Sequence, residues 1–288
     1  MAVNTPNAQY QLMRERWETM NDVCSGAPAI KLHPYKYLPY TQCEDDGKRF
    51  IQYAKRAVFY ETTKDTLQSH VGLAFSEDPS FEPDGMDFLK SNADGAGKSI
   101  YQLNQLALVG LLKHGRGGYL VDHPSVESGI SKAQAETMGL RPVIVHYDAL
   151  SIINWRVKKV GGEYRLSLVV LHEIENVVDP QDEFQEKAVN VYRVLRLDEN
   201  NRYSVQVYSD NTGELIGSEL IYPTRQGGTW DIIPFVFLGS QVNDSNIHDI
   251  PLEPLANINL AHYRNSAEYE ESVFVFGDVL PVINELSE

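Results

Sequence analysis

Cysteine is nearly absent. Cys24 and Cys43 are the only two in 288 residues, too few for a disulfide framework and without the CxxC spacing of a zinc site. Long apolar runs are missing too: no stretch approaches the ~20 residues that cross a bilayer, and the opening MAVNTPNAQYQLMRERW lacks the apolar core of a signal peptide. The expectation is a soluble, intracellular chain with no membrane partner. Runs of Lys and Arg are also lacking, and the formal net charge is −15. Such a chain does not wrap nucleic acid tightly, because clustered cations make phosphate contacts. Any contact with DNA would be loose. There is no internal repeat and no low-complexity segment.

Recognisable catalytic spacings are equally scarce. The eight histidines are scattered, and His172-Glu173 lacks the second histidine four residues on that a zinc-protease helix carries. His70, His114, His146 and His262 have no partner identifiable in sequence. Ser125 and Ser128 lie in HPSVESG, which lacks the first glycine of a nucleophile elbow. The acidic groups Glu44-Asp45-Asp46, Asp179-Asp182-Glu183 and Glu268-Glu270-Glu271 could hold a hard cation, as in metal nucleases, but no EF-hand spacing accompanies them. A solvated acidic surface is the preferred reading. No catalytic residue, metal ligand or cofactor is assigned; a metal-dependent nuclease is the rival reading.

What the chain does have is 42% hydrophobic residues, enough for a substantial core, arranged around Asp94 to Asp122, DGAGKSIYQLNQLALVGLLKHGRGGYLVD. Asp94 or Ser99 can cap a helix whose face carries Ile100, Leu103, Leu106, Ala107, Gly110 and Leu111. Gly115 to Gly118 ends it, and Tyr119 to Val121 reads as a strand. Gly97-Lys98-Ser99 is how a phosphate-binding P-loop finishes. The glycine required five residues before Gly97 is Asn92, however, and no buried strand precedes the loop. Helix capping is therefore preferred to nucleotide binding.

Helical spacing places Tyr10, Met13, Trp17 and Met20 on one face of a helix over residues 8 to 24, stopped by Gly26 and Pro28. Lys31 to Tyr40 is expected to be extended or looped. A helix from Asp46 should bury Phe50, Tyr53, Ala57 and Tyr60, and another capped by Thr63 should bury Leu67, Val71 and Ala74. A loop from Phe75 to Gly85 then leads to a short helix. After a polar stretch from Pro124 to Gly139, with a short helix at Ala133 to Met138, the period changes near Arg141. Val143 to Tyr147, Ile152 to Val157, Tyr164 to His172, Val189 to Leu197, Tyr203 to Tyr208 and Ile232 to Leu238 are rich in strand-forming residues, with turn chemistries between them. A meandering antiparallel sheet is expected. The helical period returns from Leu252 to Glu271, and Val273 to Ile283 reads as a strand. The fold class is therefore α+β, with N-terminal helices packed on a mainly antiparallel sheet and a further helix following.

The order and wording of TLQSHVGLAFSEDP (66–79), SNADGAGKSIYQLNQLALVGLLKHGRGGYLVDHP (91–124), RPVIVHYDALSIINWRV (141–157), IIPFVFLGS (232–240) and PLEPLANINLAHYRNSAEYEESVFVFG (251–277) resemble a family of tailed-bacteriophage portal-like proteins. The resemblance implies a structural protein rather than an enzyme, a homo-oligomeric ring, typically a dodecamer, at one vertex of the capsid. Double-stranded DNA passes through it loosely during packaging and ejection. Its partners would be the terminase motor, the major capsid protein and the neck or adaptor proteins. It would reside in the virion, and in the host cytoplasm during assembly; a head–tail adaptor is an alternative in the same compartment. On that resemblance residues 1–250 are the wing, 251–272 the stem-like helix and 273–288 the start of a clip-like segment. Members of the family continue further, so a truncated member is expected. An acidic wall suits a conduit, since it repels phosphate and leaves only weak, screened contacts.

A stem helix in a ring must meet a neighbouring copy as well as cover its own domain. Tyr263 and Arg264, of types enriched in such contacts, are the expected subunit-interface residues. The competing reading makes Tyr263 core and Arg264 a surface charge.

Overall fold

The computed structural model describes residues 2–39, 47–77, 79–124, 134, 138–179, 182–210, 215–225 and 228–277. Cys43, the group Glu44-Asp45-Asp46, Ser125, Ser128 and most of Ala133 to Met138 lie outside them. The helices are α1 (Ala8–Ser25), α2 (Ala27–Leu32), α3 (Pro34–Tyr37), α4 (Lys48–Arg56) and α5 (Thr62–Ala74), then a 3-10 turn at Asp87–Lys90 and α6 (Ile100–His114). Strands β1 (Arg116–Asp122), β2 (Val143–Asp148), β3 (Ile152–Val160), β4 (Glu163–Asp179), β5 (Asp182–Leu197), β6 (Tyr203–Asp210), β7 (Leu215–Gly217), β8 (Thr224–Arg225), β9 (Gly228–Thr229) and β10 (Phe235–Gly239) follow, and α7 (Glu253–Phe276) closes the series. The class is α+β, with every strand pair antiparallel.

The chain forms two compact units, and neither is the linear 1–250 block expected from sequence. The first takes Met1–Glu18 and Ala74–Pro251; the second takes Thr19–Leu73 and Leu252–Glu288. The boundary falls inside α1.

In the first unit the single expected meander is two main sheets. One has the order β10-β1-β2 and the other β3-β4-β5-β6-β7, with β8 and β9 as a separate pair. β1 lies centrally because α6 delivers it there. Ser99 and Gln102 form a reciprocal capping box at the start of α6, and Gly115 ends it with φ 70°. A Cβ on Gly115 would lie 2.5 Å from the Asp249 carbonyl oxygen, so glycine is required by space as well as by dihedral angle. Leu103, Ala107 and Gly110 are buried, whereas Leu106 faces solvent, a correction to the expected face. The loop before α6 is closed on itself. Asp94 Oδ1 accepts from the amides of Ala96 and Lys98 at 2.8 and 2.9 Å, and Asn92 Oδ1 accepts from Gly97 at 2.9 Å. The amides a phosphate would need are already occupied, and a 3-10 turn rather than a strand precedes them.

The side chain of Arg116 fills the core of this unit. Its guanidinium lies between the rings of Trp155 and Phe237, 4.1 Å from each centroid, and Nη1 donates to the carbonyls of Ser245 and Asn246 at 3.0 and 2.8 Å. Burial pulls its pKa down to about 9, with Asp244 opposing, so it remains charged at neutral pH. A second polar link ties the sheets together: Arg193 on β5 donates to Glu173 on β4 and to Asp122 on β1, and Tyr147 on β2 donates to Glu173. β4 and β5 extend well past the expected strand ends. Pairing with β3 ends at Leu171 of β4 and pairing with β6 at Val191 of β5, so among the described residues the last part of the hairpin is a two-stranded arm.

In the second unit, residues expected to be extended are helical. Pro28 and Pro34 sit in the first turns of α2 and α3, where a missing N–H costs nothing. Glu61 accepts from the Ala27 amide at 2.9 Å, and the Asp22 carboxylate accepts from Lys36 and from Tyr37 Oη–H. α4 stops at Arg56, which leaves Tyr60 56% exposed and makes Phe59 the buried aromatic instead. Thr63 is not a cap but a buried residue of α5, and Ala74 is exposed. Val273 to Phe276 continue α7 rather than forming a strand.

Candidate subunit-contact surface

α7 begins at Leu252 with Pro254 in its first turn. Ala256, Leu260, Tyr263 and Ala267 recur at four, three and four residues, and all are buried in the second unit. Tyr263 has no exposed surface, meets the Phe59 ring edge-on at 5.6 Å, and its hydroxyl has no hydrogen-bond partner among the described residues. Burial raises the pKa of that hydroxyl. Arg264, next along the helix, is exposed and donates from Nε to the Tyr37 carbonyl at 3.0 Å. Of the two expected interface residues, Arg264 has surface to offer a neighbour and Tyr263, within this chain, belongs to the core.

The polar side of α7 is held by α4 and the segment after it. Glu268 accepts from Tyr53 Oη at 2.9 Å, the Ser266 hydroxyl accepts from the Val58 amide at 3.1 Å, and Glu271 accepts from Arg49 at 3.2 Å and from Arg56. Burial alone would raise the Glu271 carboxyl, but Arg56 and Arg49 hold it below its ordinary value. Burial and the Glu268 hydrogen bond both push the Tyr53 hydroxyl up. Arg56 also lies over the Phe274 ring, 4.1 Å from its centroid. The acidic group Glu268-Glu270-Glu271 is thus partly committed to hydroxyl and guanidinium partners. Among the described residues no three His, Cys, Asp or Glu side chains converge as metal ligands would.

A second line runs along α7 on a different face. Ile258, His262, Asn265, Tyr269, Ser272 and Phe276, spaced four, three, four, three and four residues apart, are all exposed; Ile258 is 67% and Phe276 71% exposed. At its beginning Tyr60, Thr62, Leu255, Ile258, Asn259 and His262 line a shallow groove of about 210 Å³, with the Tyr60 and His262 rings edge-to-face at 4.9 Å. Beside its last turn Val273, Phe274 and Val275 are exposed as well. In water such a helix leaves Ile258, Tyr269 and Phe276 uncovered, set among the polar His262, Asn265 and Ser272.

The sequence reading missed this line because Val273 to Phe276 alternates like a strand. The clue was the lack of Gly, Pro or Asn between Ala267 and Phe276, which lets a helix continue unbroken. No protein-family model matches the chain, and comparison with curated proteins finds no match.

Proposed function

We propose that the chain is a structural, ring-forming, portal-like component of a tailed DNA phage, in which double-stranded DNA slides past an acidic wall while the motor and neck proteins dock outside. The observation that carries this reading is the two-faced α7: one stripe is buried in its own unit, and a second line, Ile258, Tyr269 and Phe276, is left for another surface to cover. The net charge of −15 supports a conduit that does not grip phosphate. The occupied loop amides around Asp94 speak against nucleotide hydrolysis by the chain itself. On this reading the terminase motor, the major capsid protein and the neck proteins are its partners in the virion.

Electron microscopy and mass photometry of the purified protein test it. Closed rings are expected, and Ile258→Ser with Phe276→Ser should convert them to monomers with unchanged circular dichroism. A monomer at every concentration, or metal-dependent cleavage of plasmid DNA by the purified chain, overturns the reading.

A further inference from the structure

Among the described residues of the first unit, two open stretches of strand edge carry opposite charge. β3 is the edge strand of the five-stranded sheet. Its outer side is covered at the start by Asn7, whose amide donates to the Ile153 carbonyl at 2.8 Å and whose Nδ2 donates to the Trp155 carbonyl at 3.2 Å. Past Trp155 no strand pairs on that side among the described residues, and the side chains there are Arg156, Val157, Lys158, Lys159 and Val160, with Arg156 and Lys159 exposed. The arm of β4 and β5 is the second open edge. Past Val191, toward the hairpin tip, β5 has no strand partner but β4 among the described residues, and its residues 183–188 are exposed, Phe184 at 88%. The arm carries Glu175, Asp179, Asp182, Glu183 and Glu186 against the single Lys187.

An open strand edge is a template for another strand. Pairing β3 with β3 of another copy would set three cations against three, and pairing arm with arm would set carboxylate against carboxylate. Both are penalised, since like charges opposite each other destabilise a sheet. Only the crossed pairing sets Arg156 and Lys159 against Glu186 and Glu183, with Phe184 covered opposite Lys158, whose Nζ donates to the Asp198 carbonyl within its own chain at 3.2 Å. We propose that a second copy of this chain is the occupant: the acidic β5 edge of one copy's arm adds as a strand to the open, basic end of β3 in the next. The arm is long enough, since residues 182–190 span roughly 30 Å at ~3.3 Å per residue, against roughly 16 Å for residues 156–160. The contact joins two different surfaces, so it is heterologous and propagates into a ring or a filament. It rests on the ring reading for closure alone.

The test uses the full chain and two charge reversals at exposed positions, Arg156→Glu with Lys159→Glu and Glu183→Lys with Glu186→Lys. By sedimentation, each variant alone should associate at least roughly tenfold more weakly than wild type. An equimolar mixture should associate again, because each reversed edge then meets a reversed arm. Added salt should weaken the wild-type contact, and amide exchange at 157–160 and 182–188 should slow as concentration rises. A variant that associates like wild type, a folded mixture that stays monomeric, or a wild type monomeric at its highest soluble concentration overturns the proposal. Rings that survive both reversals reject this contact and leave the ring reading standing. Open chains that respond to the reversals but never close reject the ring reading and uphold the contact.

Discussion

Asn259 on α7 takes both hydrogen-bond donors of Thr63 on its single side-chain oxygen, the backbone amide at 3.2 Å and the hydroxyl at 3.0 Å, while its own Nδ2 donates to the Tyr60 carbonyl at 2.8 Å. All of this lies in a buried setting, with Thr63 fully covered. One amide therefore fastens the start of α5 to α7. Asn259→Ala strands two buried donors and one acceptor and should cost about 2–4 kcal/mol in urea denaturation. Asn259→Asp keeps the acceptor and should cost less than the alanine change in the same measurement.

Arg116 gives a contrast between charge and volume. Arg116→Ala opens a gap between Trp155 and Phe237 and leaves the Ser245 and Asn246 carbonyls without their donor, a loss of about 3–5 kcal/mol. Arg116→Met refills most of the gap and should recover about half of that. Equal losses in the two variants, measured by urea unfolding, would assign the stability to the charge rather than to packing.

Acid should weaken the fold through His114. Burial, helped by Lys113 and opposed by Asp148, pulls its imidazole down to about 4 from an ordinary 6.5. Between those values the unfolded chain takes up a proton and the folded chain does not. Stability is therefore complete above about pH 6.5 and falls by about 3 kcal/mol as pH drops toward 4. His146 is lowered in the same direction by burial. Unfolding free energies measured at pH 7 and pH 5 should differ in the wild type, and the difference should shrink in His114→Gln.

Tyr263 separates a core role from a contact role. Its buried hydroxyl lacks a partner among the described residues, so Tyr263→Phe removes a desolvated polar group and should leave stability unchanged or raise it by up to about 1 kcal/mol. Tyr263→Ala should cost about 3–5 kcal/mol. Thermal melts check the first two outcomes. Mass photometry of Tyr263→Phe should match wild type, because the ring edge that meets Phe59 is retained.

Much of the fold was legible before any coordinates, wherever one local cause acts alone. A cap at Asp94 or Ser99, which the structure places at Ser99, the stop at Gly115, the helical period of Ala256, Leu260, Tyr263 and Ala267, and the alternating strands after Arg141 follow from hydrogen-bonding capacity and side-chain spacing within a few residues. The errors arose where a local preference was outvoted. Val273 to Phe276 favours strand, but it continues α7 unbroken and Arg56 lies over the Phe274 ring. Gly26 and Pro28 do end α1, but much of Lys31 to Tyr40, expected to be extended or looped, is helical, with Pro34 opening α3.

Sequence by itself determined most of the elements, their mainly antiparallel pairing and the acidic balance, because period, turn chemistry and charge are properties of the chain. Tertiary structure alone decided that residues 19–73 share a unit with α7, that β1 pairs with the distant β10, that Tyr263 is covered while Ile258 and Phe276 are not, and that the ends of β3 and of the arm are open edges. Those outcomes depend on which surfaces meet across a hundred or more residues. No spacing within a helix or strand records which of its faces a distant segment will cover.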